Sequence, residues 1–283
     1  MIATAPGRSI DARTSGSTDL WRCVACGEGL GPSGDSALAC RGCGRSYPIR
    51  DGVLVVKEGT SANNEVARAF YDGPLWPKFR FWEWATFVVN GGERRSREKI
   101  LQHLPKGPGL RLLDVAVGDG VYLNWLPSDW SVVGVDISRV QLDACSRRAE
   151  GRDMQLVLAE AEDLPVRDGR FDAALSIGGF NYFNDPEKAL REMARAVKPG
   201  GTIVVADEVP DLTDRMLGRK LGWPGLDRWV VARMLHLGDA FADVIERNRG
   251  LDVAAIGERV LPGSRFELVW RGVGYVLVGR SPG

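Results

Sequence analysis

The sequence predicts an α/β protein built on a doubly wound, mostly parallel sheet of seven strands, with a small cysteine-rich unit in front of it. Three observations lead there. Seven short apolar runs, at 110–115, 131–135, 155–159, 171–177, 202–206, 253–260 and 274–279, have the length and composition of strands. Helix-like stretches at about 121–125, 139–150 and 187–197 alternate with the first five runs, which implies right-handed crossovers and a parallel sheet. Four of the five cysteines stand as two close pairs ahead of all of these.

The first five runs are bounded by Gly, Pro or charged residues and suit central strands covered on both faces. The last two lie close together and are expected to pair antiparallel. Ahead of the sheet, 65–104 reads as helical and is rich in aromatics. The chain divides accordingly into a disordered polar leader (1–19), a metal-binding ribbon (20–58), a helical aromatic cap (59–105) and a ligand-binding sheet domain (106–283). Within the last, 210–249 is longer than a crossover needs and is expected to be a lid.

The chain has 283 residues, of which 44% are hydrophobic, enough for one full core and a small accessory unit. Lys+Arg and Asp+Glu are both 37. That balance argues against chain-wide attraction to nucleic acid. Arg94, Arg95 and Arg97 are the nearest approach to a basic patch and read as a solvated helix face. No run of eighteen apolar residues is present to span a membrane, and the leader lacks the apolar stretch of a secretory signal. A cytoplasmic protein is expected; its oligomeric state is left open.

Cys23-Val24-Ala25-Cys26 and Cys40-Arg41-Gly42-Cys43 form two knuckles separated by thirteen residues. Gly27 and Gly44 follow the second cysteine of each and permit the positive φ that turns backbone amides toward sulfur. Four thiolates at this spacing suit a closed tetrahedral zinc site, structural because no position is left for substrate. Iron would fit the same ligands, and two disulfides are the alternative that a reducing compartment disfavours. Cys145, alone on an expected helix, reads as a core thiol. The segment Tyr47-Pro48-Ile49-Arg50-Asp51-Gly52-Val53 resembles the end of the zinc ribbons of Trm112-like proteins. That resemblance covers roughly the length of the ribbon, and such ribbons also stand in front of some methyltransferases.

The first strand leads into Asp114-Val115-Ala116-Val117-Gly118-Asp119-Gly120, a turn of small residues that lets backbone approach a ligand. The second ends in Asp136, where an acid can accept from both hydroxyls of a ribose. With Leu158-Ala159-Glu160-Ala161-Glu162-Asp163-Leu164-Pro165, Phe171-Asp172-Ala173-Ala174-Leu175-Ser176 and Val197-Lys198-Pro199-Gly200-Gly201-Thr202 following in order, the stretch 111–207 resembles the class I S-adenosylmethionine-dependent methyltransferases, in particular the small-molecule branch with the quinone methyltransferases. The resemblance implies a Rossmann-like fold and S-adenosylmethionine as cofactor. Position by position, it implies that Asp114 holds the methionine end, that Ala116, Gly118 and Gly120 line the loop, and that Asp136 takes the ribose, with Ile137 against the adenine. Glu160, beside Ala161, would accept from the adenine amino group, Ser176 would lie near the methionine, and Tyr71 would close over the cofactor. Ala116 stands where the family's first glycine is usual.

The acceptor is expected beyond the carboxyl ends of the strands, near Asn181, Tyr182, Asp207 and Glu208. Asn181 and Tyr182 stand where many relatives carry paired histidines. Together with His236 they are the candidate catalytic residues, for aligning the nucleophile or taking its proton. The rings between Trp76 and Phe87 are packing residues or the wall of an apolar pocket. The sequence thus points to methylation of a small, largely apolar metabolite on O, C or N. Two alternatives stay open: a ribosomal or transfer RNA methyltransferase, and a cyclase-like enzyme that binds the cofactor without transferring its methyl group.

Overall fold

The computed structural model describes residues 19–215 and 221–282; all of the expected leader except Asp19 lies outside them. Four short strands, β1 (Leu30–Pro32), β2 (Ala37–Cys40), β3 (Ser46–Arg50) and β4 (Val53–Val55), make the ribbon. Three helices follow, α1 (Ala62–Asp72), α2 (Trp76–Val89) and α3 (Glu93–Leu101). The central strands are β5 (Arg111–Val115), β6 (Ser131–Asp136), β7 (Met154–Leu158), β8 (Phe171–Ile177) and β9 (Val197–Glu208). Helices α4 (Arg139–Arg148) and α5 (Pro186–Ala196) connect them, and Val121–Trp125, expected as a helix, is a 3-10 turn.

The strands form one sheet in the order β1-β2-β3-β4-β7-β6-β5-β8-β9-β11-β10, where β10 is Arg265–Val269 and β11 is Gly274–Arg280. From β4 to β9 all neighbours are parallel, and β11 returns antiparallel beside β9. The order reverses between β5 and β8, and this switch point opens a crevice at the carboxyl ends of the strands.

Alternation along the strands sends side chains to two cores. Leu113, Val115, Val133 and Val157 pack on the face covered by α5, while Leu112, Val132 and Leu156 pack with Leu142 and Cys145 of α4. Each fully buried Leu or Val of this kind contributes about 1.5–3 kcal/mol. Cys145 is therefore the core thiol that the sequence suggests.

Two expectations need correction. Among the described residues the sheet has eleven strands rather than seven, chiefly because the ribbon is not a separate layer. Its strand β4 lies parallel beside β7, with Val53 opposite Leu156 and Val55 opposite Leu158, so the ribbon extends the central sheet. Trp21, Leu38 and Tyr47 join the core that α5 covers. The second correction concerns 253–260, which is helix α8 (Val253–Val260) and not a strand. The Asp252 side chain accepts from the Ala255 amide and caps it, and Val253, Ile256 and Val260 bury one helical face. The antiparallel partner of β11 is β10, whose alternating Arg265, Phe266, Glu267 and Leu268 are all exposed.

The segment expected as a lid holds a 3-10 turn at Leu212–Arg215, then α6 (Pro224–Trp229) running into a π-helical turn at Val230–Met234, then α7 (Asp239–Asn248). Its Val231, Leu237 and Phe241 pack with Phe70 of α1 and Tyr182 into a third core above the crevice.

Candidate active site

A cavity of about 690 Å³ fills the crevice beneath α1, α2 and the 221–248 segment. Its floor is the turn after β5, where Ala116 has φ 61° and Gly118 φ 55°. Ala116 thus adopts a left-handed conformation that alanine rarely takes. Its methyl also fixes its neighbour: a Cβ on Gly179 would stand 2.6 Å from the Ala116 Cβ, so an alanine at the first loop position requires the glycine after β8.

Two buried acids stand at the strand ends. The Asp136 carboxylate accepts from the Gly118 amide at 2.8 Å and the Ser138 amide at 2.8 Å. Burial lifts its pKa to about 6 against the pull of those amides. Asp114 lies in the same wall, and burial, with the Asp136 charge adding to it, pushes its carboxyl up to about 8. Two acids in one wall, with no basic partner among the described residues, form a negative end to the cavity, matched to a cationic ligand. Tyr71 covers that end from α1. Its hydroxyl donates to the Gly178 carbonyl at 3.0 Å, its own carbonyl accepts from Gln141 Nε2 at 3.0 Å, and its ring meets Trp76 edge-on.

At the other end, Asp207 closes β9. It accepts from the Asn181 amide at 3.1 Å and the Glu208 amide at 2.9 Å, and burial raises its pKa to about 7. Glu208 also lines the cavity and is raised to about 7 by burial. Asn181 is committed on every side: Nδ2 donates to the Glu208 carbonyl, Oδ1 accepts from the Tyr275 hydroxyl, and its carbonyl accepts from Asn248. It is a bracket that ties the ends of β8 and β9 together. Tyr182 is buried on the cavity wall with its ring 4.6 Å from that of Phe241.

Of the predicted cofactor residues, Tyr71, Asp114, Ala116, Gly118, Asp136, Ile137 and Ala161 line this one cavity. Four predicted residues do not. Glu160 Oε2 is taken by Lys57 at the end of the ribbon, and the cavity wall there is Ala159 and Ala161. Ser176, on β8 between Val115 and Val205, is fully buried within the sheet. Gly120 faces the α4 core, where a Cβ would stand 2.6 Å from Cys145 Sγ. His236 sits at φ 60° in the bend after the π-helical turn, and the cavity is lined by its neighbours Leu235 and Leu237 instead.

Sequence reasoning missed a polar cluster on the cap side. Arg80 pairs with Asp119 at 3.3 Å and with Glu83 at 3.4 Å, all three on the cavity wall, and burial raises the Glu83 carboxyl. It also misread Arg97. Only 1% of its surface is exposed, and its guanidinium lies 4.8 Å from the Phe87 ring, 4.4 Å from Tyr122 and 5.1 Å from Trp125, with Glu93 as ion partner. These rings come from two elements far apart in the chain, α2 and the turn after β5, so no local spacing reveals the cage.

The four sulfurs Cys23, Cys26, Cys40 and Cys43 lie within 4.8 Å of one another, with Cys23–Cys43 at 3.7 Å and Cys26–Cys40 at 3.3 Å. None is in a disulfide. Gly27 at φ 81° and Gly44 at φ 74° complete the two knuckles. Amides of Ala25, Gly42 and Cys43 donate to sulfur. This donor set fits one tetrahedral ion of the size of zinc.

Comparison with known proteins bears on the sheet. A family profile described as a methyltransferase domain matches residues 113–205, from β5 through most of β9. Over these residues the chain carries a methyltransferase-like domain. The chain is 37% identical over 146 residues to a demethylmenaquinone methyltransferase of Renibacterium salmoninarum, a match covering 51% of the chain and 59% of that relative. It is 30% identical over 155 residues to the methyltransferase GfsG of Streptomyces halstedii, covering 52% and 55%. The chain thus spans little more than half the length of either relative. A solved structure of a SAM-dependent methyltransferase from Aquifex aeolicus aligns at 16% identity with a TM-score of 0.44, covering 78% of this chain and all of that one.

Proposed function

We propose that this methyltransferase transfers a methyl group from S-adenosylmethionine to a small, largely apolar acceptor bound in the cavity. The observation that carries the reading is a cavity with apolar, aromatic walls between two carboxylate-bearing ends. The cofactor supplies an activated methyl group on a sulfonium. The chain's own residues bind and orient. Asp136, its two amides leaving lone pairs free, accepts from the ribose hydroxyls. Asp114, buried and without a basic partner, faces the cationic end of the cofactor. Tyr71 closes over it. Glu160, expected at the adenine, pairs with Lys57 through Oε2, while its Oε1 is buried with no partner among the described residues.

At the acceptor end Tyr182 positions the nucleophile, and Glu208 is the base for an acceptor that must lose a proton. A cavity-lining carboxyl that burial raises to about 7 suits that task near neutral pH. Asp207 and Asn181 hold the strand ends in place. Trp76, Phe79 and Phe87 exclude water and favour an apolar acceptor. Support for a small acceptor over RNA comes from Arg97, which is buried among rings and unavailable to phosphate. The four cysteines fit a structural zinc ion.

The test is a panel of apolar phenols, quinols and enols incubated with labelled S-adenosylmethionine. Methyl transfer to at least one is expected. Cofactor binding without transfer to any would refute the reading, and product that forms equally well with S-adenosylhomocysteine would favour the non-methylating alternative.

A further inference from the structure

The hairpin between β10 and β11 closes through residues 270–273, with Val269 standing opposite Gly274. Three of the four take positive φ in succession: Trp270 at 49°, Arg271 at 58° and Gly272 at 88°. Glycine, asparagine or aspartate ordinarily fills such places, because a larger side chain is strained there. This loop carries an indole and a guanidinium instead. Backbone strain of this kind persists where the surrounding structure holds it, and it gathers at ligand sites.

The indole is the anchor. Trp270 Nε1 donates to the Ser96 carbonyl at 3.2 Å, and the ring meets Phe87 of α2 edge-on at 6.0 Å. The ring also lies over Gly274, where a Cβ would stand 2.3 Å from it. The loop is thereby fixed against α2, α3 and β11. The Val209 amide, just past the end of β9, donates to the Val273 carbonyl at 3.0 Å, and Gly274 stands opposite Glu208. The loop therefore sits at the acceptor end, where Trp270, Arg271 and Val273 line the cavity with Glu208 and Pro210.

Among the described residues the cavity wall holds two cations, Arg80 and Arg271. Arg80 is held by Asp119 and Glu83. Arg271 is exposed, and among the described residues no carboxylate pairs with it. Glu208, close by along the backbone, is raised by burial with no cation drawing it back, so it does not hold the guanidinium. A guanidinium has five donors and no acceptor, in a fork that fits an oxyanion at two points.

We propose that Arg271 sets acceptor specificity by holding a carboxylate or phosphate group at the mouth of the cavity, while the acceptor's apolar body and nucleophile lie inside. The proposal rests on the reading that the acceptor binds in this cavity, and adds an acidic group to it. Protein loaded with S-adenosylhomocysteine, so that no turnover intervenes, is titrated by calorimetry with a hydroxynaphthoic acid, its methyl ester and the matching naphthyl phosphate. At least one of the two anions should bind about tenfold or more tightly than the ester, and the tighter of them identifies the oxyanion. Arg271→Gln should erase that difference by weakening the anions, with ester and cofactor affinity unchanged, and Arg271→Lys should keep part of it. Arg271→Gly should erase it too, with a melting temperature level or higher, because glycine takes φ 58° without strain. Equal binding of anions and ester, binding of none of the three, or a preference that survives Arg271→Gln would overturn the proposal. Methyl transfer is measured separately. Transfer to neutral phenols with no anion preference would uphold the methyltransferase reading and remove this subsite, and an Arg271-dependent preference with no transfer would do the opposite.

Discussion

Asp114→Asn tests the electrostatic reading of the cofactor end. Asp114 is raised from 3.8 to about 8 by burial, with the Asp136 charge adding to it, and is only 5% exposed. An acid raised on folding is protonated in the native state over a range where the unfolded chain has already shed its proton. Native protein then binds more protons than unfolded protein between about pH 4 and pH 8, so stability falls as pH rises through that window. Each pH unit of it corresponds to about 1.4 kcal/mol for one group. Asp136, raised to about 6, and Asp207 and Glu208, raised to about 7, slope the same way. The lowered acids Glu65, Asp172 and Glu187 act with the opposite sign, but below their ordinary values of 4.5, 3.8 and 4.5.

The ligand-free protein should therefore be less stable at pH 7 than at pH 5. Asn at 114 keeps the shape and removes the titration. The variant should be the more stable protein at pH 7, by about 3 kcal/mol relative to the difference at pH 5. It should also bind S-adenosylmethionine more weakly, because the cation loses its partner. Urea unfolding at pH 5, 6 and 7 reads the first effect and calorimetry the second. Equal pH slopes for the two proteins would show that Asp114 titrates as an ordinary solvated acid, and the matched-cation reasoning would fail. A second readout comes free: the cation should expel protons from the pair, so binding at pH 7 should release protons, seen as a dependence of binding heat on buffer ionisation.

Three further outcomes follow from particular contacts. Asp136→Ala should weaken cofactor binding by about 1.5–3 kcal/mol and also destabilise the fold, because the Gly118 and Ser138 amides lose their acceptor; calorimetry and melting read the two separately. Tyr182→Phe should slow turnover about 10- to 100-fold with cofactor affinity unchanged, and a lost affinity would place the ring on the wrong side of the cavity. Elemental analysis should find one zinc or iron per chain, and stripping it with a chelator should lower the melting temperature and weaken cofactor binding together, since β4 and Lys57 brace the end of β7; metal loss that leaves the melting temperature untouched would mean the ribbon carries no load.

Much of this protein is readable in its sequence because the central strands are buried on both faces and advertise themselves as unbroken apolar runs. The turn after β5 and the acid at the end of β6 are local signals of the same kind, and the residues read from them, Asp114 and Asp136, stand together at one end of the cavity. The misreadings share a physical cause, which is that they depend on neighbours distant in the chain. The run Val-Ala-Ala-Ile-Gly-Glu-Arg-Val carries apolar residues at both strand and helix spacing, and only Asp252 as a cap and α5 as a packing partner decide for helix. Ser176 and Gly120 occupy the expected positions in the chain, but the pleat of β8 and the approach of Cys145 turn them away from the ligand side. Glu160 is diverted by a lysine 103 residues away in sequence. The ribbon shows the same limit on a larger scale. Its cysteine spacing marks the four-sulfur cluster locally, but that β4 would register against β7 is a property of two edges meeting, written in neither edge alone. Through β4 and the Lys57–Glu160 pair, the cysteine cluster is joined to β7 and to the Ala159 and Ala161 wall of the cavity, so a change at the four sulfurs has a direct mechanical route to the cavity.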